Sequence, residues 1–209
     1  MKVDFKLKHD APIEPDSVEF TPADYFAQLP LKEMFDREAP VQVDLGCGYG
    51  AFLVAMAKAN PECNFLGVER LVGRVRKACK RAANARLRNV RALCLEGLYT
   101  ISKLIPPGSI SMVHVMFPDP WPKRKHRRRR LIEGEFLDAA RVALRAGGEL
   151  RLTTDDADYF EQMKKAAAAH QGFAEIPWPD DPAYPRTDFE KHFRAQGLAI
   201  HRLLLRRRE

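Results

Sequence analysis

The chain has 209 residues, 45% hydrophobic and 30% charged. That composition supports one packed core and excludes global disorder. No apolar run approaches the ~18 residues that span a bilayer. The opening MKVDFKLKHD lacks the apolar stretch of a secretory leader, so a cytoplasmic protein without a membrane segment is expected. Lys and Arg number 35 against 28 Asp and Glu, and the surplus is concentrated. Residues 123–130 (KRKHRRRR) hold seven cations and residues 70–91 hold nine, both without an acid, leaving 19 cations against 28 acids elsewhere. Two dense basic blocks on an otherwise acidic chain point to a directed anionic partner, nucleic acid first. Cys47, Cys63, Cys79 and Cys94 form no C-x-x-C pair and have no paired histidines nearby. They read as small hydrophobes, and no metal is expected.

In chain order, residues 1–40 read as an irregular, acidic, proline-containing arm with one short helix near 22–28. Residues 41–209 read as one domain. Val41–Leu45 is a buried strand running into glycines. Residues 50–59 form a helix stopped by Asn60-Pro61. A second strand is Asn64–Glu69. Residues 71–86 form a basic amphipathic helix, with Arg70, Arg74, Lys77 and Arg81 on one face. Val90–Leu95 is a third strand, followed by a short helix near 97–104 and a fourth strand over 109–117. Glu133–Arg145 reads as a helix capped by Gly147-Gly148, then come a strand over Glu149–Thr154 and a helix over 156–169. Phe173–Ile176 and Leu198–Arg206 read as strands, separated by a proline-rich loop and a short helix near 189–195. Alternating strands and helices imply a doubly wound α/β sheet, seven-stranded and mostly parallel, with the last strand antiparallel at or near an edge.

Asp44-Leu-Gly-Cys-Gly-Tyr-Gly50 joins the first strand to its helix. Gly46, Gly48 and Gly50 allow a tight turn and close approach to a ligand, and strand ends are where such sheets bind ligands. A phosphate-binding G-x-x-x-x-G-K-[ST] is absent, and the third glycine falls one position early for a dinucleotide fingerprint. D-x-G-x-G-x-G resembles instead the first motif of S-adenosylmethionine-dependent methyltransferases. Asp44 then offers a carboxylate to a cationic amino-acid moiety. Glu69, ending the second strand, is placed to accept from ribose hydroxyls, against the alternative of a salt bridge with a nearby arginine. Glu96 stands where an adenine-proximal polar group would lie, or is a solvated loop residue.

The segment Phe117-Pro-Asp-Pro-Trp-Pro-Lys123 follows the fourth strand. Prolines on both sides stiffen Asp119, and Trp121 offers a face to a nucleobase. The basic run that follows suits a phosphate clamp that positions RNA without reading sequence. His114, inside a strand, reads as a hydrogen-bonded core histidine. Trp178 reads as packing, and Arg206–Arg208 as a solvated tail.

With these residues in view, the chain resembles the bacterial tRNA (guanine-N7)-methyltransferases from residue 41 to about 206. FPDPWPKRKHRRRRL, Thr153-Thr-Asp155 and Thr187-Asp-Phe-Glu190 carry the likeness. The resemblance implies a Rossmann-like class I methyltransferase fold. It also implies transfer of a methyl group from S-adenosylmethionine to N7 of a guanosine in the tRNA variable loop (conventional tRNA position 46). Asp44, Gly46, Gly48, Gly50, Glu69, Glu96 and Asp119 would hold the donor, with Asp119 also catalytic. Lys123, Asp155, Thr187, Asp188, Phe189 and Glu190 would contact the substrate. Lys125, His126, Arg127, Arg128, Arg129 and Arg130 would bind the RNA backbone; separately, the size of the chain suits a monomer. Three positions depart from the family's usual residues: Asp44 for Glu, Glu96 for Asp or Asn, and Lys125 for Arg. A nicotinamide-dependent oxidoreductase and a non-catalytic RNA-binding module are the competing readings. The first needs a differently placed third glycine, and the second leaves the acids at 44, 69 and 119 without a task.

Overall fold

β1 (Val41–Leu45) and β2 (Asn64–Glu69) are buried along their whole length, which requires a sheet covered on both faces. The structure, a computed structural model, describes residues 13–181 and 184–209. Seven strands form one sheet in the order β3-β2-β1-β4-β5-β7-β6, with β3 Val90–Cys94, β4 Ile110–Met116, β5 Leu144–Thr154, β6 Phe173–Ile176 and β7 His201–Arg207. β1 to β5 are mutually parallel, and β7 runs antiparallel between β5 and β6. The expected antiparallel last strand is therefore present, one place in from the edge.

Alternate strand residues feed two apolar layers, the period-2 rule of a pleated strand. Phe65, Val90 and Ala92 pack with Phe52 and Leu53 of α2 (Ala51–Ala59) and with Val75 and Cys79 of α3 (Val72–Asn84). On the other face Val43, Leu66 and Leu93 share a cluster with α5 (Gly134–Ala143) and α6 (Ala157–Ala169), through Phe136, Leu137, Tyr159 and Met163. Strand order reverses between β1 and β4, so their carboxyl ends splay apart and leave a crevice between neighbouring loops.

Within the arm, the expected helix near 22–28 is absent; that stretch is irregular, and among the described residues of the arm the helical turn is α1 (Pro15–Val18). Backbone donors go elsewhere: the Phe26 amide donates to Asp24 Oδ1 at 2.7 Å and the Leu29 amide to the Leu104 carbonyl at 2.8 Å. Leu29, Leu31, Met34 and Phe35 are buried in the larger core cluster, so this part of the arm is packed on the domain. Residues 1–12 lie outside the described residues.

The helix expected over Glu133–Arg145 ends at Ala143, and Leu144 already belongs to β5. Leu144 pairs with Ile110, and pairing then resumes at Met112 with Glu149, so residues 145–148 bulge out of the ladder. Gly147 takes a φ of 69° within that bulge; it serves a strand irregularity and not a helix cap. Arg206–Arg208 are not a free tail. Arg206 pairs with Glu149 at 2.9 Å, Arg207 reaches the Leu144 carbonyl, and Arg208 Nε donates to the Phe173 carbonyl at 2.9 Å.

His114 is fully buried, as its strand position suggested. Its Nε2 lies 2.9 Å from Gln42 Oε1 and its Nδ1 lies 3.3 Å from the Tyr184 hydroxyl. Burial, helped by the nearby Arg151 cation, pushes this imidazole down to about 3, so it stays neutral at physiological pH.

Candidate active site

A cleft of about 1270 Å³ opens over the carboxyl ends of β1, β2 and β4 and is lined by the loops that follow β1 to β4. Its floor is acidic. Asp44 is 3% exposed, and its Oδ2 has no hydrogen-bond partner in the protein. Burial, with the Glu69 charge added, raises its carboxyl to about 7. A buried carboxylate without a donor is costly; it fits a site made for a cationic or hydrogen-bond-donating ligand. Glu69 is also buried. Its Oε1 accepts from the Leu71 amide at 2.9 Å and its Oε2 lies 3.6 Å from Arg74 Nη1. The salt bridge weighed for Glu69 therefore exists, and the same carboxylate still faces the cleft.

Glu96 lines the cleft but is exposed, and both of its oxygens work locally. They accept from the amides of Leu98 at 3.0 Å and Tyr99 at 2.6 Å, capping α4 (Gly97–Tyr99). The three motif glycines all take left-handed φ, at 80°, 55° and 74°. Gly46 and Gly48 border the cleft, whereas Gly50 does not. A Cβ on Gly50 would meet Ala78 Cβ at 2.7 Å. The third glycine thus lets α2 start against α3, a packing role that motif spacing alone could not separate from ligand contact.

The cleft's other wall is the loop after β4. Phe117 and Trp121 take φ of 56° and 43°, a conformation that costs a non-glycine residue about 1–3 kcal/mol and persists only where surroundings enforce it. Between them Asp119 is exposed and lines the cleft. The Arg129 guanidinium sits 5.0 Å over the Trp121 ring, so a cation holds a face that the sequence offered to a base.

The enforcing contact comes from Arg130. The sequence groups it with the solvated clamp, yet it is 4% exposed. Its Nε donates to the Pro120 carbonyl at 2.7 Å, Nη1 to Gln162 at 2.6 Å and Nη2 to Asp158 at 2.7 Å. It also lies 4.7 Å over the Tyr159 ring. The hydrogen bond from Arg130 holds the Asp158 carboxyl below its ordinary range. Arg130 therefore pins the Asp119 loop to α6, and its assignment to RNA does not suit this burial. Arg128 and Arg129 face the cleft. Lys123, Lys125 and Arg127 are exposed on or beside the 3-10 turn Arg124–Arg129 without lining the cleft, and His126 edges the Trp121 ring at 5.9 Å. Arg127 pairs with Asp158 at 3.0 Å.

Thr187, Asp188 and Phe189 reach the cleft from the start of α7 (Asp188–Ala195). Thr187 caps the helix by accepting from the Glu190 amide at 2.9 Å. Phe189 is 59% exposed. It stacks on Phe193 at 6.1 Å, and Phe193 lies 5.5 Å from Phe117, tying α7 to the Asp119 loop. Glu190 is fully buried and is not among the residues that line the cleft, and its Oε2 has no hydrogen-bond partner among the described residues. Its Oε1 accepts from Arg194 at 2.9 Å and Arg202 at 2.6 Å, fastening α7 to β7. Asp155, half-buried after β5, also stands outside the lining. Phe117 and Tyr49 line the cleft without having been singled out; a phenylalanine at positive φ leaves no mark in sequence. Among the described residues no group of three His, Cys, Asp or Glu side chains is placed to hold a metal, and no helix is long and apolar enough to cross a membrane.

Two outcomes follow from these contacts. Asp44 ionises near 3.8 when unfolded and about 7 when folded, so folding stability is lost as pH rises through that window. Asp44→Asn should match wild type in thermal unfolding near pH 4, gain on it as pH rises, and level off above pH 7; a constant difference would contradict this. Arg130→Ala should destabilise by about 2–4 kcal/mol, as loss of a buried, paired cation does. Arg128→Ala should stay within about 0.5 kcal/mol of wild type, and equal, small effects in denaturant titrations would refute the anchoring role.

A family model described as "Putative methyltransferase" matches residues 38–203. The tRNA (guanine-N(7)-)-methyltransferase of Yersinia enterocolitica is 34% identical over 196 residues, 90% of this chain and 79% of its own length. That of Salmonella typhimurium is 36% identical over 190 residues, 87% of this chain and 79% of its own. Among solved structures, the antibiotic-resistance methyltransferase Kmr aligns with a TM-score of 0.59 at 20% identity, covering 86% of this chain and 92% of that one. The 16S rRNA methyltransferase KamB aligns at 0.60 and 18%, covering 86% and 91%. These two share its fold. The chain belongs to the tRNA (guanine-N(7)-)-methyltransferase family.

Proposed function

We propose that this protein transfers the methyl group of S-adenosylmethionine to N7 of a guanosine in the variable loop of tRNA. One observation carries the reading. A single cleft joins the buried acids Asp44 and Glu69 to Asp119, to Arg128 and Arg129, and to the Thr187–Phe189 segment. An acidic pocket for a cationic small molecule thus opens directly onto a basic rim for a polyanion. The named activity of the Yersinia and Salmonella relatives agrees with that division.

The residues present fit the donor. Asp44's unpartnered oxygen is an acceptor for an ammonium group, whose charge would draw the carboxyl back to its ionised form. Glu69 keeps acceptor capacity for ribose hydroxyls, and Gly46 and Gly48 put no side chain in the way. Bound there, S-adenosylmethionine supplies an electrophilic methyl group on a positively charged sulfur.

Guanine N7 carries a lone pair and no proton at neutral pH, so the protein need not supply a general base. As the N7–carbon bond forms and the carbon–sulfur bond breaks, positive charge passes to the purine. A carboxylate fixed beside the ring stabilises that charge. Asp119 has this role, held in place by its two prolines, the left-handed turns at 117 and 121, and the Arg130 anchor. Phe189 and Phe117 give the base an apolar edge. Arg128 and Arg129 hold phosphates, and Lys123, Lys125, His126 and Arg127 extend that grip.

Asp119→Asn should lower kcat on tRNA by roughly 10²–10³-fold, the usual loss for one electrostatic group. Binding of donor and of tRNA, followed by calorimetry and filter retention, should be little changed. Undiminished turnover would remove Asp119 from the reaction.

A further inference from the structure

Outside the cleft, α3 builds a second concavity. Lys77, Lys80, Arg81 and Asn84 line about 470 Å³ together with Tyr49 of the glycine loop. No acid contributes to its lining, and none occurs anywhere in residues 70–91. Tyr49 belongs to both the concavity and the cleft. Its ring is 49% exposed, with Lys77 Nζ at 4.8 Å and the Arg74 guanidinium at 5.5 Å from its centre. Arg81 has one distant carboxylate, Asp188 at 3.8 Å, while Lys77 and Lys80 have no ion-pair partner among the described residues.

An exposed basic helix face often does no more than keep a protein soluble. Three features separate this one. Its cations converge on a hollow instead of spreading around the helix. The hollow is continuous with the cleft through an aromatic ring, and aromatic rings interleaved with cations suit a nucleic-acid strand. Finally, α3 and the basic 124–129 turn follow β2 and β4, which flank β1 on opposite sides, so the two cationic surfaces lie on either side of the acidic floor. Along α3, Arg74, Lys77 and Arg81 rise by ~4.5 and ~6 Å, a step that can serve successive phosphates.

We infer that the Tyr49–Lys77–Lys80–Arg81 hollow is a second RNA-binding tract, which holds backbone phosphates flanking the nucleotide delivered to the cleft. This rests on the proposal that tRNA is the substrate. The hollow secures affinity and takes no part in the chemistry. With both tracts engaged, the RNA spans the cleft mouth, and the target base is the part left facing the acids.

The test is Lys77→Ala combined with Lys80→Ala in the full chain, beside Lys77→Arg combined with Lys80→Arg. Two lost phosphate contacts should weaken tRNA binding about 10- to 50-fold near 0.1 M salt, and flatten the slope of log K against log salt by roughly 1–2. The arginine pair should keep wild-type affinity and slope. Donor binding, thermal stability and kcat at saturating tRNA should be unchanged in both. An alanine pair with wild-type affinity and slope, while the wild-type chain methylates tRNA, would overturn the inference and leave the proposed function standing. A wild-type chain that neither binds nor methylates tRNA would overturn both.

Discussion

Asp44 sets the terms for the rest of the molecule. A carboxylate at the end of a central strand, closed off from water and left with one oxygen unpartnered, resists ionisation until something positive arrives. Burial comes from the doubly covered sheet, and the second acid, Glu69, ends the neighbouring strand. Two acids so close repel each other, and the fold offsets part of that repulsion with Arg74 beside Glu69. The cleft is thus preset for a small cation, and no rearrangement of the sheet is needed to create its field.

The basic surfaces have the opposite task and the opposite surroundings. They stand in solvent, where, under the proposed function, a phosphate backbone would exchange its counterions for arginine and lysine. Under the proposed function, attraction there would be of little use if the Asp119 carboxylate drifted. The loop after β4 is therefore built stiffly, with two prolines, two left-handed residues and one buried guanidinium pinning the Pro120 carbonyl. Arg130 shows how one cation in a run can be structural while its neighbours Arg128 and Arg129 stay exposed at the cleft. Its planar fork sends three different nitrogens to three separated acceptors, whereas a lysine would have to gather all of them around one ammonium nitrogen.

Much of this was legible from sequence. β2 and β6 lie at the positions their apolar runs marked, because glycine, proline and charged residues bound them tightly. The short helix expected near 189–195 is present as α7, Asp188–Ala195. Other features depended on contacts between distant segments. Nothing local separates Arg130 from Arg129; its partners Asp158, Tyr159 and Gln162 come from a helix some thirty residues later. Gly50 looks like its two sister glycines until Ala78 of another helix approaches it. Leu144 reads as helical by local pattern, yet Ile110 recruits it into the sheet. Glu190 looks like a ligand contact by motif, and the structure adds a second task that the motif did not show: its Oε1 accepts from Arg194 and Arg202.

The position at which the new methyl group lands is the most direct test of the proposed reaction. Transcribed tRNA should be incubated with the protein and donor, then treated with borohydride and aniline, which break the chain only at N7-methylated guanosine. One scission, inside the variable loop, is the result the proposed function predicts. Methyl incorporation without scission, or scission confined to another arm, would contradict it.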